Sequence, residues 1–269
     1  MTTRMTAQRL ARLVAAGDAD AVGAAVAADP GLLARTVERD GQAGWTPLHV
    51  AVAENQPKVV RVLVEAGADL SAVTEHFRTP LNLALECAPD LVPQLREAGA
   101  PVDAPSAAYL DDVDRLRHLL DDGTPLSDPK TGMDLLSWAA RGGATGTARL
   151  LLERGADADA GALHAAAAGA SLQLVRVLLA AGADVDRRDP ETGRAPLHEA
   201  VAAGPAGEAR EVVRALLHAG ADVNATTSDG ASALDISRVA AARSRRADAG
   251  RATGNDALAE LLVAHGASD

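Results

Sequence analysis

Short apolar runs, each broken by single polar positions, recur along the chain and close on a glycine. The run Val175-Arg176-Val177-Leu178-Leu179-Ala180-Ala181 ends on Gly182 in this way. A glycine just past such a run is the expected left-handed cap of a helix C-terminus, because it has no Cβ to clash there. The same ending returns as Ala66-Gly67-Ala68-Asp69, Ala98-Gly99-Ala100, Arg154-Gly155-Ala156-Asp157 and Ala219-Gly220-Ala221-Asp222. Degenerate copies stand at Asp122-Gly123-Thr124 and His265-Gly266-Ala267. These seven endings predict at least seven helices of one kind.

A second pattern opens the helix before each of these. It reads Trp45-Thr46-Pro47-Leu48-His49, Arg78-Thr79-Pro80-Leu81-Asn82 and Arg194-Ala195-Pro196-Leu197-His198, with weaker copies at Ala162-Leu163-His164 and Asp134-Leu135-Leu136-Ser137. Thr caps free N–H groups, and Pro at the first helical position lacks only a donor that would be orphaned anyway. The two Thr-Pro pairs, at 46 and 79, lie 33 residues apart. On these motifs the sequence resembles ankyrin repeats, whose unit is a β-turn finger followed by two antiparallel helices. In units 2, 5, 6 and 7 the His position precedes the capping Gly by 18, 18, 18 and 22 residues, a phase agreement far more specific than one match.

The resemblance implies an all-α solenoid forming one domain over 1–269, in which each unit buries its faces against its neighbours. Eight units are expected: an N-terminal cap at 6–36, then 37–72, 73–104, 105–128, 129–160, 161–188, 189–226, and a C-terminal cap at 227–269. Units 4 and 6 are short, with 24 residues from Gly99 to Gly123 and 27 from Gly155 to Gly182, so both should have lost most of the finger. Unit 4 keeps only Pro105 to Leu110 for its first helix, which predicts a notch near units 4 to 6. Units 5 and 7 carry related fingers, Asp128-Pro129-Lys130-Thr131-Gly132 and Asp189-Pro190-Glu191-Thr192-Gly193, read as well-made turns. Unit 7 has an insertion around Gly204-Pro205-Ala206-Gly207. Unit 8 has a longer one at 237–252, with Arg238, Arg243, Arg245, Arg246 and Arg251 against Asp248. It is read first as a solvated loop; folding back onto the acidic body, or touching an acidic partner or nucleic acid, are the rival readings.

Composition sharpens this picture. Aromatic residues are 1% of the chain (Trp45, Phe77, Tyr109 and Trp138), and the apolar content is nearly all Ala, Leu and Val, which suits helices packed in thin layers. Net charge is −11 and the pI is near 5.1, which disfavours nucleic acid and favours a basic partner. A single cysteine, Cys87, rules out an intrachain disulfide and fits a reducing compartment. The longest apolar run near the N-terminus, Leu13 to Ala16, is too short for a signal-peptide core, and no run of 18 apolar residues exists. A cytoplasmic, monomeric protein is expected, and the abundance of Ala and Arg suggests a bacterial, GC-rich genome.

Candidate chemistry is thin. His49, His164 and His198 fall at the position whose imidazole, in the family, ties the cap and adjacent backbone together. His118, His218 and His265 fall near helix C-termini, where a cation meets the dipole favourably. No His or Cys spacing suits zinc, so neither metal nor cofactor is expected. Cys87 is read as a small semi-buried residue. Asp111 and Asp112 should cap a helix start, whereas Asp121 and Asp122, at a helix C-terminus, are electrostatically awkward. Trp138 is read as core filling, and Trp45 as an exposed finger residue of hot-spot type.

The resemblance implies a non-enzymatic module that binds a partner protein through finger tips and the concave ends of first helices. By position these are Gln42, Ala43, Trp45, Ala53 and Glu54, then Glu75, His76, Arg78 and Glu86. The series continues with Lys130, Thr131, Met133 and Arg141, then Glu191, Arg194, Ala202 and Ala203. An adaptor, inhibitor or toxin-neutralising role fits this reading. The alternative is an enzyme or small-molecule binder using the notch, with Asp111, Asp112, Arg141 and Arg194 around it.

Overall fold

A computed structural model describes residues 5–127, 134–159, 161–205, 207–247 and 254–268. The chain divides into two compact units, 1–106 and 107–269. The first holds α1 (Ala7–Ala15), α2 (Ala19–Ala28), the hairpin β1 (Val37–Arg39) and β2 (Gln42–Trp45), α3 (Pro47–Ala53), α4 (Pro57–Glu65), α5 (Pro80–Cys87) and α6 (Val92–Glu97). Helix α7 (Ala104–Tyr109) runs across the boundary. The second unit holds α8 (Val113–Asp121), α9 (Leu135–Arg141), α10 (Thr145–Glu153), α11 (Ala162–Ala168), α12 (Leu172–Ala180), α13 (Pro196–Ala202), α14 (Ala209–His218), α15 (Ala233–Ala247) and α16 (Gly254–Ala264). The molecule is all-α apart from its fingers.

Each compact unit is two-layered. In the first, α3 packs on α1 and α5, while α2 packs on α4. In the second, α9, α11, α13 and α15 stack in series, and α8, α10, α12 and α14 form the other layer. Within each unit the helices of the first layer approach closely over fully buried alanines, each two residues after the His position: Ala51 and Ala84 in the first unit, and Ala139, Ala166 and Ala200 in the second. Leucines such as Leu63, Leu95, Leu116, Leu151 and Leu178 fill the space between layers. The near absence of aromatic residues follows from this spacing, since a layer so thin has no room for large rings.

The helix ends behave as the motifs predict. Thr46 and Thr79 accept the N–H of the residue three positions on, and the N–H groups of Thr46 and Thr79 are in turn held by His49 Nδ1 and Asn82 Oδ1. The seven capping glycines, from Gly67 to Gly266, adopt φ between 87° and 96°. Trp138 is buried and meets Tyr109 edge-on at 6.3 Å, as core filling requires.

Two expectations fail here. The insertion at 237–252 is not a loop as far as it is described: residues 237–247 continue α15, which reaches 15 residues. Its Ala and Arg content favours helix, and the Ser237 hydroxyl ties the helix to the Asn255 carbonyl at 2.8 Å. Arg251 and Asp248 lie outside the described residues. Trp45 is not exposed but buried at 9%. The Arg39 guanidinium lies 5.3 Å from its ring centroid and the His49 ring meets its edge at 6.3 Å, so the finger folds over it. Its indole N–H has no acceptor among the described residues. No described helix is long and apolar enough to cross a membrane.

Candidate functional site

The inner helices and fingers are locked together by imidazoles. Thr46 N–H donates to His49 Nδ1 (3.2 Å), so Nδ1 is unprotonated and Nε2–H donates to the Arg78 carbonyl at 3.0 Å. His198 repeats this with Ala195 N–H (3.0 Å) and the Ala225 carbonyl (3.0 Å), and His164 Nε2 reaches the Arg194 carbonyl (3.0 Å). Burial holds His49 and His198 below the ordinary imidazole value, against smaller opposing effects of their backbone bonds. Asn82 takes the same place in α5, with its amide donating to Asp103 and Ser106 at 3.1 and 2.8 Å. These groups are therefore structural, as the motif implies.

At the mouths of α3, α5 and α13 a finger arginine meets a glutamate. Arg39 pairs with Glu54 (2.8 Å), Arg78 with Glu86 (3.2 Å) and Arg194 with Glu199 (3.4 Å). Four of the residues expected to face a partner, Glu54, Arg78, Glu86 and Arg194, are thus held in ion pairs within their own unit. A partner meets alternating charge there, with no single sign of field. Gln42 lies on β2, and Glu75 accepts the Ala43 N–H at 2.9 Å. His76 is exposed at the tip. Cys87 is exposed, where semi-burial was expected, because it ends α5 at the solvent edge. Its thiol donates to the Leu83 carbonyl at 3.0 Å, and desolvation and the Glu86 charge push its pKa up, so it is a poor nucleophile.

In the second compact unit a cleft of about 790 Å³ opens between the fingers before α13 and α15 and the face of α15. Glu191, Thr192 and Arg194 form one wall, Thr227, Ser228, Asp229 and Ala231 another, and Ala202 closes the end. The floor is Ile236, Val239, Ala240 and Arg243, at helical spacings of three, four and seven along α15. Val239 is 52% exposed. Thr227 holds the Asp229 carboxyl below the usual range through its hydroxyl, and the N–H and hydroxyl of Ser232 do the same for Asp235. Repeat position points to Glu191, Arg194 and Ala202 but not to the α15 floor, whose signal in the sequence is the apolar spacing of Ile236, Val239 and Ala240.

Asp189 accepts the N–H groups of Glu191 and Thr192 and the Thr192 hydroxyl, which confirms the finger as a well-made turn. Lys130, Thr131 and Met133 lie outside the described residues, as does the related finger at 128–132. Arg141 is exposed at the end of α9. Asp112 caps α8 through the Arg115 N–H (3.1 Å), whereas Asp111 reaches across to the Thr147 N–H of α10 at 2.7 Å. Asp111 takes φ 57°, which a short polar side chain tolerates. Of the four residues expected around a notch, only Arg194 lines the cleft described above. Replacing Asp111 by Ala leaves the Thr147 N–H without its acceptor and is expected to lower unfolding free energy by about 1–2 kcal/mol, measured by urea denaturation. The awkward Asp121 is answered by Arg154 at 2.9 Å. No group of three or more metal-ligating side chains occurs among the described residues.

Comparison with known proteins agrees with this geometry. A family model described as "Ankyrin repeat" matches residues 43–75, and one described as "Ankyrin repeats (3 copies)" matches 136–227. The chain is 35% identical to the B-cell lymphoma 3 protein of Homo sapiens over 118 residues, 43% of this chain and 21% of that protein. It is 41% identical to protein phosphatase 1 regulatory subunit 27 of Homo sapiens over 46 residues, 17% of this chain and 29% of that one. It is also 40% identical to the E3 ubiquitin-protein ligase XB3 of Oryza sativa subsp. japonica over 68 residues, 25% of this chain and 14% of that one. The matched part is less than a third of each relative.

Proposed function

Because the chain is an ankyrin-repeat protein, we propose that it works as a protein-binding module and not as an enzyme. The observation that carries this reading is the cleft between the fingers and α15. An open cleft with an aliphatic floor, walled by three acids and two arginines, suits a peptide surface with apolar and charged side chains. The relatives named as a regulatory subunit and as a lymphoma protein are in keeping with such a role.

The finer reading is an adaptor, inhibitor or toxin-neutralising protein that closes on a basic partner. Its support is the net charge of −11 and the carboxylates Glu191, Asp229 and Asp235 along the cleft. Charge of this kind acts on encounter rate and specificity more than on final affinity. No observation favours the alternative built on a notch, since Asp111 and Asp112 are committed to backbone N–H groups.

The test is affinity capture from a lysate of the encoding organism on the immobilised chain, with Val239→Asp as the comparison. Val239 is half-exposed on α15, so a carboxylate there spoils the cleft floor without entering the core. A stoichiometric protein should be retained by the parent chain and lost from V239D. Equal retention by both would overturn the role of the cleft, and an empty eluate from the parent would overturn the module reading.

A further inference from the structure

His218 and His265 stand 47 residues apart in sequence, so no zinc-type spacing marks them, yet the fold sets their rings side by side. The ring centroids are 6.0 Å apart and the planes are inclined at 57°. His218 is the last residue of α14, and His265 directly follows Ala264, the last residue of α16. Both are exposed. Neither takes part in the bonding to fingers that commits His49, His164 and His198 to the repeat. The place of His218, two residues before a capping glycine, is held by Glu65, Glu97, Asp121, Glu153 and Ala180 in the preceding repeats. The repeat itself therefore asks for no imidazole there.

The surroundings of the two rings suit a cation. His265 Nδ1 lies 2.8 Å from the Leu261 carbonyl, and a carbonyl only accepts, so the proton is on Nδ1 and the neutral ring keeps its lone pair on Nε2. A backbone carbonyl that fixes the second nitrogen in this way is the usual support of a metal-bound imidazole. Both rings stand at helix C-termini, each of which carries the equivalent of about half a negative charge on its last carbonyls. The two ends are also tied together. Asn224, in the loop after α14, donates through Nδ2 to the Gly266 carbonyl at 3.2 Å and accepts the Ser268 N–H at 3.0 Å. The distance fits a shared ion as well. Two imidazoles bound tetrahedrally to one ion at about 2.0–2.1 Å have centroids about 5 Å apart. The observed 6.0 Å closes to this through small rotations of two exposed side chains.

We propose that His218 and His265 form a two-imidazole site for a divalent transition-metal ion of the Cu²⁺, Ni²⁺ and Zn²⁺ class, bound through His265 Nε2 and one nitrogen of His218. Imidazole nitrogen selects these ions over Mg²⁺ and Ca²⁺, which take oxygen ligands. Water completes the coordination, since no third metal-ligating side chain joins the pair among the described residues. The ion clips the ends of the last two repeats together, away from the cleft, so the site is independent of the protein-binding reading.

The test is calorimetric titration of Cu²⁺, Ni²⁺ and Zn²⁺, each alone in chelator-free buffer, into the parent, His218→Asn, His265→Asn and His118→Asn. His118, exposed in the last turn of α8, is the control for a single imidazole at a helix end. The parent should bind one ion per chain, with Cu²⁺ held most tightly. H218N and H265N should each weaken binding by about tenfold or more, and H118N should leave it unchanged. Saturating Zn²⁺ should raise the melting temperature of the parent and of H118N, but not of the other two variants. Equal binding by all four chains, or a loss in only one of H218N and H265N, overturns the pair. One ion per two chains makes the ion a bridge between copies and overturns the site within one chain. The absence of saturable binding of all three ions to the parent overturns the proposal outright.

Discussion

Replacing Gly142 with alanine is expected to lower the unfolding free energy by about 3 kcal/mol, the upper end of the usual cost of overpacking. Gly142 ends α9 with φ −78°, a conformation any residue adopts, so backbone preference is not the issue. The obstacle is distance. An added Cβ would stand 2.1 Å from the Tyr109 carbonyl oxygen and 2.8 Å from its carbon, and backbone atoms cannot swing away as a flexible side chain would. The chain supplies its own control. Gly169 occupies the same place in α11 with the same φ of −78°, and a Cβ there would meet the Ala165 and Ala166 carbonyl oxygens at 3.4 and 3.9 Å, both ordinary contact distances. Ala203 and Glu54 already fill the place in α13 and α3. Urea denaturation of Gly169→Ala should therefore show little change, while Gly142→Ala loses a large part of a typical domain's stability.

A second large effect belongs to His49. Its replacement by Asn is expected to cost about 1–2 kcal/mol at pH 7.5, because the Arg78 carbonyl loses the imidazole N–H, although it keeps the N–H of Thr74. Asn can still accept the cap N–H, as Asn82 does at Thr79, but Asn82 depends on Asp103 and Ser106 to meet its shorter amide. The same variant should flatten the response to acid. His49 and His198 titrate below the ordinary 6.5 when folded, chiefly through desolvation. The unfolded chain thus takes up protons first as pH falls, so their stabilisation is complete above about 6.5 and is lost progressively below it. Urea midpoints between pH 7.5 and 5 should fall for the parent and fall less for H49N. The depressed carboxylates Asp69, Asp189, Asp229 and Asp235 act in a separate window, below their ordinary 3.8.

Much of the architecture was legible because its rules are local. A capping glycine and a Thr-Pro start each act within one helix turn. Repetition made them readable even where one copy was degraded, as at Ser137. What escaped was set by neighbours and not by motif. Burial of Trp45 depends on Arg39, which sits six residues away on the opposite strand of the hairpin. The continuation of α15 overrode the expectation that an insertion rich in charge is a loop, because Ala and Arg are good helix formers and Ser237 secures the helix to Asn255. Repeat position alone brings Glu191 and Arg194 to the lining of the cleft, but the pairing of Glu54, Arg78, Glu86 and Arg194 within their own units depends on side-chain contacts that no motif carries.

Amide hydrogen exchange of the protein alone and with its retained partner measures directly where that partner touches the chain. Slowed exchange at 189–194, 227–231 and 235–243 is the predicted footprint. Protection confined to the other layer, on α10, α12 and α14, with the fingers unchanged, would contradict it.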